Sequence, residues 1–405
     1  MWAVATIGLS ATAPGQSFSI SLFIDHYIAD FNLDRTTVSS LFGLGTFLAA
    51  LSLTWVGRRI DRHGNRRAGV AIAALFALAL LACSLVGGPL TILLSFIAIR
   101  ALGQGSLGLN SSTAVAQWFV RRRGLMMGLS IIGFALFQRI YLPWLQHIID
   151  LHGWRQAWLI LGVGIGTLVL PRTWLYRRHR QLHDGLRPAG EAGRADPHPS
   201  PHDDNWTLRQ SMRTPAFWTF LSARALCTAW GTGLIFHQVS LFSGRGHAPL
   251  VAAETYGLAA LTTAGFTLIS GLLIDRARPG FMIALQLGGL MLANGLAVVM
   301  TEPWILTLYA LAFGFFMGIG SVFDGTVWVK LYGRRHQGAI RGFVTTASVI
   351  GTSIGPIVFG AAYDHAGSYD IALLLGMALA VSSGLLSLLV PMPQRPAAVT
   401  HSQDG

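Results

Sequence analysis

Apolar residues are concentrated in stretches of about 20 residues that alternate with short polar segments along the whole chain. Each stretch has the length of an α-helix that crosses the hydrocarbon core of a bilayer. Six stretches lie at residues 1–28, 37–56, 68–86, 90–114, 124–149 and 156–175, and six more at residues 216–241, 251–274, 280–300, 304–329, 342–363 and 369–390. The pattern predicts an all-α membrane protein of twelve transmembrane helices.

Composition agrees with this pattern. Hydrophobic residues make up 52% of the 405 positions and charged residues only 11%, which is too little charge for the surface of a soluble chain. The net charge of +12 would ordinarily suggest a nucleic-acid partner. The basic residues instead lie in short clusters between apolar stretches, as topology determinants do. We therefore expect a lipid bilayer around the chain and no nucleic acid.

The loop charges predict an orientation. Arginine clusters at residues 58–67, 121–123 and 334–341 fall in loops on one side, whereas loops on the other side are short or acidic. Positively charged loops remain in the cytoplasm. Both termini are therefore expected in the cytoplasm. The membrane is expected to be a bacterial inner membrane.

The two halves of the sequence repeat. Gly57 and Asp61 recur as Gly271 and Asp275, and other landmarks recur at nearly the same offset. Internal duplication in a twelve-span chain is typical of transporters whose site lies between the repeats. We expect a monomer with a six-helix bundle at residues 1–175, a cytoplasmic linker at 176–213, a second six-helix bundle at 214–391 and a cytoplasmic tail at 392–405.

The loop after the second stretch carries the most specific motif. It contains Gly57, Asp61, Arg62 and Gly64, where glycines allow a tight turn and the acid can cap a helix and pair with arginines. This loop resembles the loop motif of the major facilitator superfamily, with a weaker second copy that includes Asp275. The resemblance implies two pseudo-repeat bundles, alternating access and a gating role for these five residues.

Other segments narrow the resemblance. Residues 118–133 are similar to the fifth-helix entry motif of monocarboxylate transporters, and residues 13–18, 236–238 and 332–338 are similar to segments of their bacterial relatives and of oxalate/formate antiporters. This resemblance implies a small organic anion as the solute, in first place a monocarboxylate. The first and eleventh helices lack the lysine that often holds a substrate carboxylate in that branch, so the exact solutes do not carry over.

Three arginines lie inside apolar stretches, where an ionised side chain costs about 2.5–3.5 kcal/mol on insertion scales. Arg139 is the first candidate for anion binding because its planar donors match a carboxylate; the alternative is a structural partner on a neighbouring helix. Arg224 is a second candidate from the other half, or else it extends towards the headgroups. For Arg100 we expect a gating or structural role, with direct contact with the solute as the alternative.

Two carboxylates are candidates for proton coupling, since burial can raise a carboxyl pKa towards neutrality. Asp324 either takes a proton or forms a static pair with an arginine, and Asp25 either takes a proton or pairs at an outer gate with His26. His237 is assigned to gating, with an interfacial histidine making one hydrogen bond as the alternative. Uncharged polar candidates for lining the solute site are Gln16, Gln104, Tyr141 and Trp230.

These features together predict a secondary active transporter of a small organic anion, coupled to protons or to a counter-anion, with proton symport favoured. An efflux transporter of drugs or other metabolites with the same fold is the alternative. The sequence contains no P-loop lysine motif, no nucleophile–base pair and no metal-ligand spacing. We therefore expect no enzyme activity, no cofactor and no metal.

Overall fold

The computed structural model describes residues 2–111, 123–167, 206–273, 276–333 and 337–393. Within these ranges the side chains of residues 2–5, 54, 57–66, 123–128, 325, 337 and 338 are outside the description. The described backbone is helical apart from short connections and contains no strand. Gly57, Asp61, Arg62 and Gly64 therefore have a described backbone only, and Asp275 lies outside the described residues, so their gating role stays a prediction.

The helices follow the predicted stretches. In the first half they are α1 Trp2–Ser10, α2 Ser17–Ile20, α3 Ile24–Phe31, α4 Arg35–Cys83, α5 Pro89–Ile99, α6 Arg123–His152 and α7 at residues 154–167. In the second half they are α8 Leu208–Ser211, α9 Pro215–Phe236, α10 Gln238–Ser243, α11 Pro249–Leu273, α12 Pro279–Val299, α13 Pro303–Tyr332, α14 Gln337–Ala366 and α15 Asp370–Leu389.

Among the described residues, seven helical segments are long and apolar enough to cross a membrane. They are Arg35–Leu53, Pro89–Ser111, Pro249–Leu273, Pro279–Val299, Pro303–Asp324, Ala339–Ala366 and Asp370–Leu389. Local sequence sets several of their ends. Proline occupies the first turn of α5, α9, α12 and α13, where a missing N–H has no cost, and Gly153 and Gly367 follow α6 and α14 with positive φ.

The helical backbone of α4 extends through the loop where the sequence predicted a separate turn. Its two ends nevertheless run in opposite directions. A Cβ built on Gly45 lies 2.9 Å from Phe96, whereas one built on Gly69 lies 2.8 Å from Asn110, and Gly103 faces Phe76. The chain therefore runs along α5 and residues 100–111 twice, once in each direction. The two predicted spans are both present, and the reversal is made with helical hydrogen bonding rather than with an irregular turn.

The last part of the predicted linker is ordered against the second half. The Trp206 N–H donates to the carbonyl of Tyr332 at 3.1 Å, and Thr207 caps α8. Residues 168–205 lie outside the described residues, so the bounds of the two bundles, the linker and the tail stay a prediction.

Two seams join the halves. Helix α4 packs on α14, where a Cβ built on Gly43 lies 2.5 Å from the carbonyl oxygen of Ser353. Helix α6 packs on α11, where a Cβ built on Gly257 lies 2.9 Å from the Cα of Arg139. Small residues permit such close backbone approach between membrane helices. We call the end of the bundle with Asp25, Asp34, Asp364 and Asp370 the acidic end, and the end with Lys330 and Arg341 the basic end.

A glycine substitution tests the packing of the first span. A Cβ on Gly15 lies 2.5 Å from the carbonyl oxygen of Ile99 and 3.1 Å from the Cα of Gly103, and these backbone atoms cannot move aside. We expect Gly15→Ala to cost about 1–3 kcal/mol through overpacking and to lower the unfolding temperature in detergent. Gly164→Ala is the control, because nothing lies within 4 Å of its Cβ position. Equal unfolding temperatures for the two variants would contradict this packing.

Candidate functional site

A carboxylate of one half caps a helix of the other half at the acidic end. Asp364, in α14, accepts hydrogen bonds from the Thr36 N–H at 2.8 Å, the Thr36 hydroxyl at 2.5 Å and the Arg35 N–H at 3.3 Å. The first N–H groups of a helix have no partner within the helix, and its positive dipole end attracts an anion. The Asp364 carboxylate therefore stabilises contact between the halves at this end.

Arg35 strengthens the same contact. Its guanidinium pairs with Asp25 at 2.6 Å and lies 4.4 Å from the centre of the Tyr363 ring in the other half. Asp25 therefore pairs with Arg35, where the sequence analysis considered His26. Asp34 caps α4 within its own half, and hydrogen bonds from Thr37 lower the pKa of the Asp34 carboxyl.

His237 lies deeper in the same seam and is 1% exposed. Its Nε2 is 2.9 Å from the carbonyl oxygen of Pro356 and 3.1 Å from the Ser39 hydroxyl, and its Nδ1 is 3.2 Å from the Tyr369 hydroxyl. Because a carbonyl oxygen only accepts, Nε2 carries a proton. The buried ring thus connects both halves with several partners, unlike an interfacial histidine with a single hydrogen bond.

An aromatic contact joins the halves next to the other seam. The rings of Phe18 and Tyr256 are 5.4 Å apart, and beside them, within the second half, Gln238 donates to the carbonyl oxygen of Ala252 at 2.7 Å. The cavity that remains between these groups is about 10 Å³. A water molecule needs about that much volume, so this cavity is too small for an organic solute.

A partly buried ion pair lies towards the basic end of the second half. The Arg224 Nε and Nη2 atoms each donate to one carboxylate oxygen of Asp324, both at 2.5 Å. The Arg224 side chain is 14% exposed and that of Asp324 is 38% exposed. The Asp324 carboxylate is thus the accessible member of the pair. Two parallel hydrogen bonds make this the strongest geometry for a guanidinium and a carboxylate.

Helix α14 presents polar groups on the side of this pair. Arg341 donates to the backbone carbonyl of Asp324 at 3.5 Å. Thr345, Ser348 and Thr352 follow Arg341 at helical spacing and so share its face. Another face of α14 carries Ile350 and Ile354, both exposed. The helix therefore separates a polar side, next to Arg224 and Asp324, from an apolar side suited to lipid.

Two apolar grooves lie elsewhere. One, of about 370 Å³, lies between α1, α6 and α7 and includes Ile140 and Trp144; the other, of about 410 Å³, lies between α9 and α14 and includes Ile350. Their walls are almost entirely apolar, and Arg100, Arg139 and Arg224 are not among the residues that line them. Both grooves suit lipid chains and are not the candidate site.

Arg139 lies at the seam between α6 and α11 and is exposed. Its Nη1 is 3.4 Å from the carbonyl oxygen of Glu254, a weak hydrogen bond. In the described part of the chain it forms no ion pair, and no direct contact with Arg224 is seen. The predicted pairing of these two arginines around one solute therefore stays a prediction.

The uncharged candidates are largely engaged within their own halves. Tyr141 accepts from Ser19 at 3.2 Å, Trp230 donates to the carbonyl oxygen of Ala372 at 3.0 Å and Gln16 donates to Thr12 at 3.2 Å. Gln104 is exposed. Arg100 is buried and is held by hydroxyl and carbonyl groups of the first half.

Sequence reasoning missed the carboxylate cap by Asp364 and the roles of Arg35 and Tyr363. In the sequence, Asp364 is one acid in the short loop between the last two apolar stretches. The sequence signal for this cap is an acid at the end of one predicted helix together with the start of another predicted helix that could lie opposite it. Among the described residues, no group of three or more His, Cys, Asp or Glu is placed to hold a metal.

Comparison with known proteins settles the family. The model of the Major Facilitator Superfamily matches residues 5–356. The chain belongs to the Major Facilitator Superfamily. This membership confirms the predicted fold class of twelve transmembrane helices in two six-helix pseudo-repeat bundles and makes the chain a membrane transporter.

Individual relatives are distant. The chain is 24% identical to monocarboxylate transporter 13 of Bos taurus over 93% of this chain and 86% of that protein. It is 21% identical to the oxalate:formate antiporter of Oxalobacter formigenes over 88% of this chain and 84% of that protein. Its fold is similar to that of a bacterial homologue of the human lysosomal transporter Spinster in an inward-facing, occupied conformation, with a TM-score of 0.69, 16% identity and 98% of each chain covered.

The acidic-end cap predicts a shift in conformation. Asp364→Asn removes the negative charge and one of the two acceptor oxygens at the start of α4, a loss of about 1 kcal/mol, which moves the closed-to-open equilibrium of this end roughly fivefold. Ala253→Cys, in the closed seam and 3% exposed, provides the reporter. We expect a several-fold faster reaction of this cysteine with a membrane-impermeant thiol reagent in the Asp364→Asn protein.

The matched control is Asp370→Asn. Asp370 pairs with Arg245 at the same end, but both residues belong to the second half. This substitution should leave the labelling rate unchanged. Equal rates for the Asp364→Asn and Asp370→Asn proteins would contradict the role of the cap between the halves.

Proposed function

We propose that the protein is a secondary active transporter of a small organic anion, in first place a monocarboxylate, and that transport is coupled to protons. The observation that carries the proposal is the bidentate pair of Arg224 and Asp324 in the transmembrane region. A guanidinium in this geometry already binds one carboxylate, so it suits the carboxylate of a solute equally well.

The pair also suggests how protons enter the cycle. While Asp324 is ionised it occupies the donors of Arg224. When Asp324 takes a proton it loses most of its attraction for the guanidinium, and the donors become available to a solute anion. Solute and proton then bind together, which is the condition for symport. The alternative of a static pair predicts no such dependence.

The names of the relatives support an organic anion. One is a monocarboxylate transporter and another an oxalate:formate antiporter, although both are under 25% identical to this chain. The basic end is assigned to the cytoplasm, because positively charged loops stay there. Contacts close the acidic end in this conformation, so the Arg224–Asp324 pair is approached from the cytoplasm.

Uptake into proteoliposomes tests the proposal. We expect an inward proton gradient to drive accumulation of at least one of labelled lactate, pyruvate, oxalate and formate. Asp324→Asn should keep exchange of the solute across the membrane but lose accumulation driven by protons, whereas Arg224→Gln should reduce both by about tenfold or more. Arg245→Gln breaks a pair at the acidic end and should leave both activities near the wild-type values.

Two results would contradict the proposal. If no carboxylate is taken up by folded protein, an efflux transporter of drugs or other metabolites becomes the better assignment. If Asp324→Asn accumulates solute as the wild type does, the pair is static and protons are coupled elsewhere.

Arg139 is tested in the same assay. If it contacts the solute, Arg139→Gln should raise the half-saturating concentration about tenfold, the effect of one lost charge-assisted hydrogen bond. Arg155→Gln is the control, since Arg155 also donates only to backbone carbonyls, those of Ser84 and Val86. An unchanged half-saturating concentration would assign Arg139 to the seam alone.

A further inference from the structure

The first span is broken in the middle of the membrane. Helix α1 ends at Ser10, a single 3₁₀ turn spans Ala13–Gly15, and Gln16 is extended with φ −86° and ψ 152° before α2 begins. Backbone that is not α-helical leaves N–H and C=O groups without helical partners. Within a membrane it is tolerated only where it lines a cavity or is buried in protein, and broken helices commonly form solute sites.

A second irregular segment faces this break. The backbone of Arg100–Leu107, in the middle of the span Pro89–Ser111, forms a π-type helix, a wide turn that is frequent at functional sites. The Cβ position of Gly15 lies 2.5 Å from the Ile99 carbonyl and 3.1 Å from the Gln104 nitrogen. Two irregular backbones therefore meet inside the bundle, each near the middle of its apolar stretch.

Arg100 occupies the junction of these two segments. It is 5% exposed, and its donors contact only neutral groups: Thr46 Oγ1 at 3.1 Å, Ser17 Oγ at 3.2 Å and the Gly15 carbonyl at 3.5 Å. The Phe42 ring lies 5.0 Å from the guanidinium carbon. Hydroxyls, one distant carbonyl and a ring face compensate a buried positive charge only in part.

Comparison with the other arginines shows what is missing. Arg35, Arg224 and Arg245 each pair with a carboxylate, and each is more exposed than Arg100. The described part of the chain provides no carboxylate within ion-pair distance of Arg100. The most buried of these four guanidinium groups is therefore the one without a carboxylate partner among the described residues.

We propose that Arg100 binds the carboxylate group of the transported anion, with the Ser17 and Thr46 hydroxyls as additional donors. The proposal rests on the function proposed above and adds a site in the first half. The Phe42 ring covers Arg100 and also contacts Phe236 of the second half, with 4.3 Å between ring centres. Separation of the halves at the acidic end frees this ring, so the anion binds Arg100 in that conformation.

The first test is anion-dependent stability of purified protein in detergent. Lactate, pyruvate, oxalate and formate are each added as sodium salts, with sodium chloride at equal ionic strength as the reference. We expect at least one carboxylate to raise the unfolding temperature of the wild type. Arg100→Gln should remove this rise. Arg100→Lys keeps the charge but lacks the planar guanidinium that donates two parallel hydrogen bonds, so it should need about tenfold more anion for the same rise.

The second test supplies the missing carboxylate from the protein. Ser17→Asp places an acid beside Arg100, so this variant should unfold at a higher temperature than the wild type and should no longer respond to added carboxylate. Ser19→Asp is the control. Ser19 is a buried serine of the same span that bonds to Ala13 and Tyr141, away from any guanidinium, so its replacement should lower the unfolding temperature.

The outcomes separate this site from the proposed function. An Arg100→Gln protein that responds to carboxylate like the wild type, or a wild type that responds to none, overturns the proposal. If Arg100→Gln does not fold, Ser17→Asp decides: a lower unfolding temperature with an intact response overturns the proposal, and the opposite supports it. A response that depends on Arg100 without proteoliposome uptake supports the site while the proposed transport of these anions fails.

Discussion

The pairing of guanidinium groups with carboxylates inside a membrane governs this structure. Lipid offers a charge no hydration, so each arginine within the bundle needs an anion or a set of dipoles from the protein. Arg224 pairs with Asp324 and Arg35 pairs with Asp25. Among the described residues, Arg100 contacts hydroxyls, a carbonyl and a ring face but no carboxylate. The same interaction that stabilises the bundle thus leaves Arg100 as a buried position where an anion from outside would be favoured.

The contacts between the halves are also electrostatic, but each of them is weaker than these ion pairs. A carboxylate on α14 caps α4 across the seam, and a buried histidine connects Ser39 with Pro356 below it. Each contact is worth about 1 kcal/mol, so the seam is held by several small terms. Such a seam can separate within a transport cycle.

Sequence alone was sufficient for the span pattern, the family and the list of unusual charges, because each depends on local hydropathy or on a motif. It could not pair those charges. Arg224 and Asp324 are 100 residues apart in the chain, and their contact depends on the packing of α9 against α13. It ranked Arg139 above Arg100, although both lie at mid-span. Hydropathy does not show that Arg139 faces a seam whereas Arg100 is enclosed by a broken helix. It also missed Asp364, since an acid at a helix end appears interfacial until the neighbouring helix is known.

The central claim is that a solute carboxylate and a proton enter the bundle together because Asp324 must release Arg224. The most direct measurement is the pH inside proteoliposomes, followed with a trapped dye after a carboxylate is added outside without an imposed proton gradient. The account predicts acidification of the interior by the wild type and none by Asp324→Asn, even where that variant still exchanges solute. Acidification of equal size in the two proteins, or none in a wild type that takes up the solute, would contradict it.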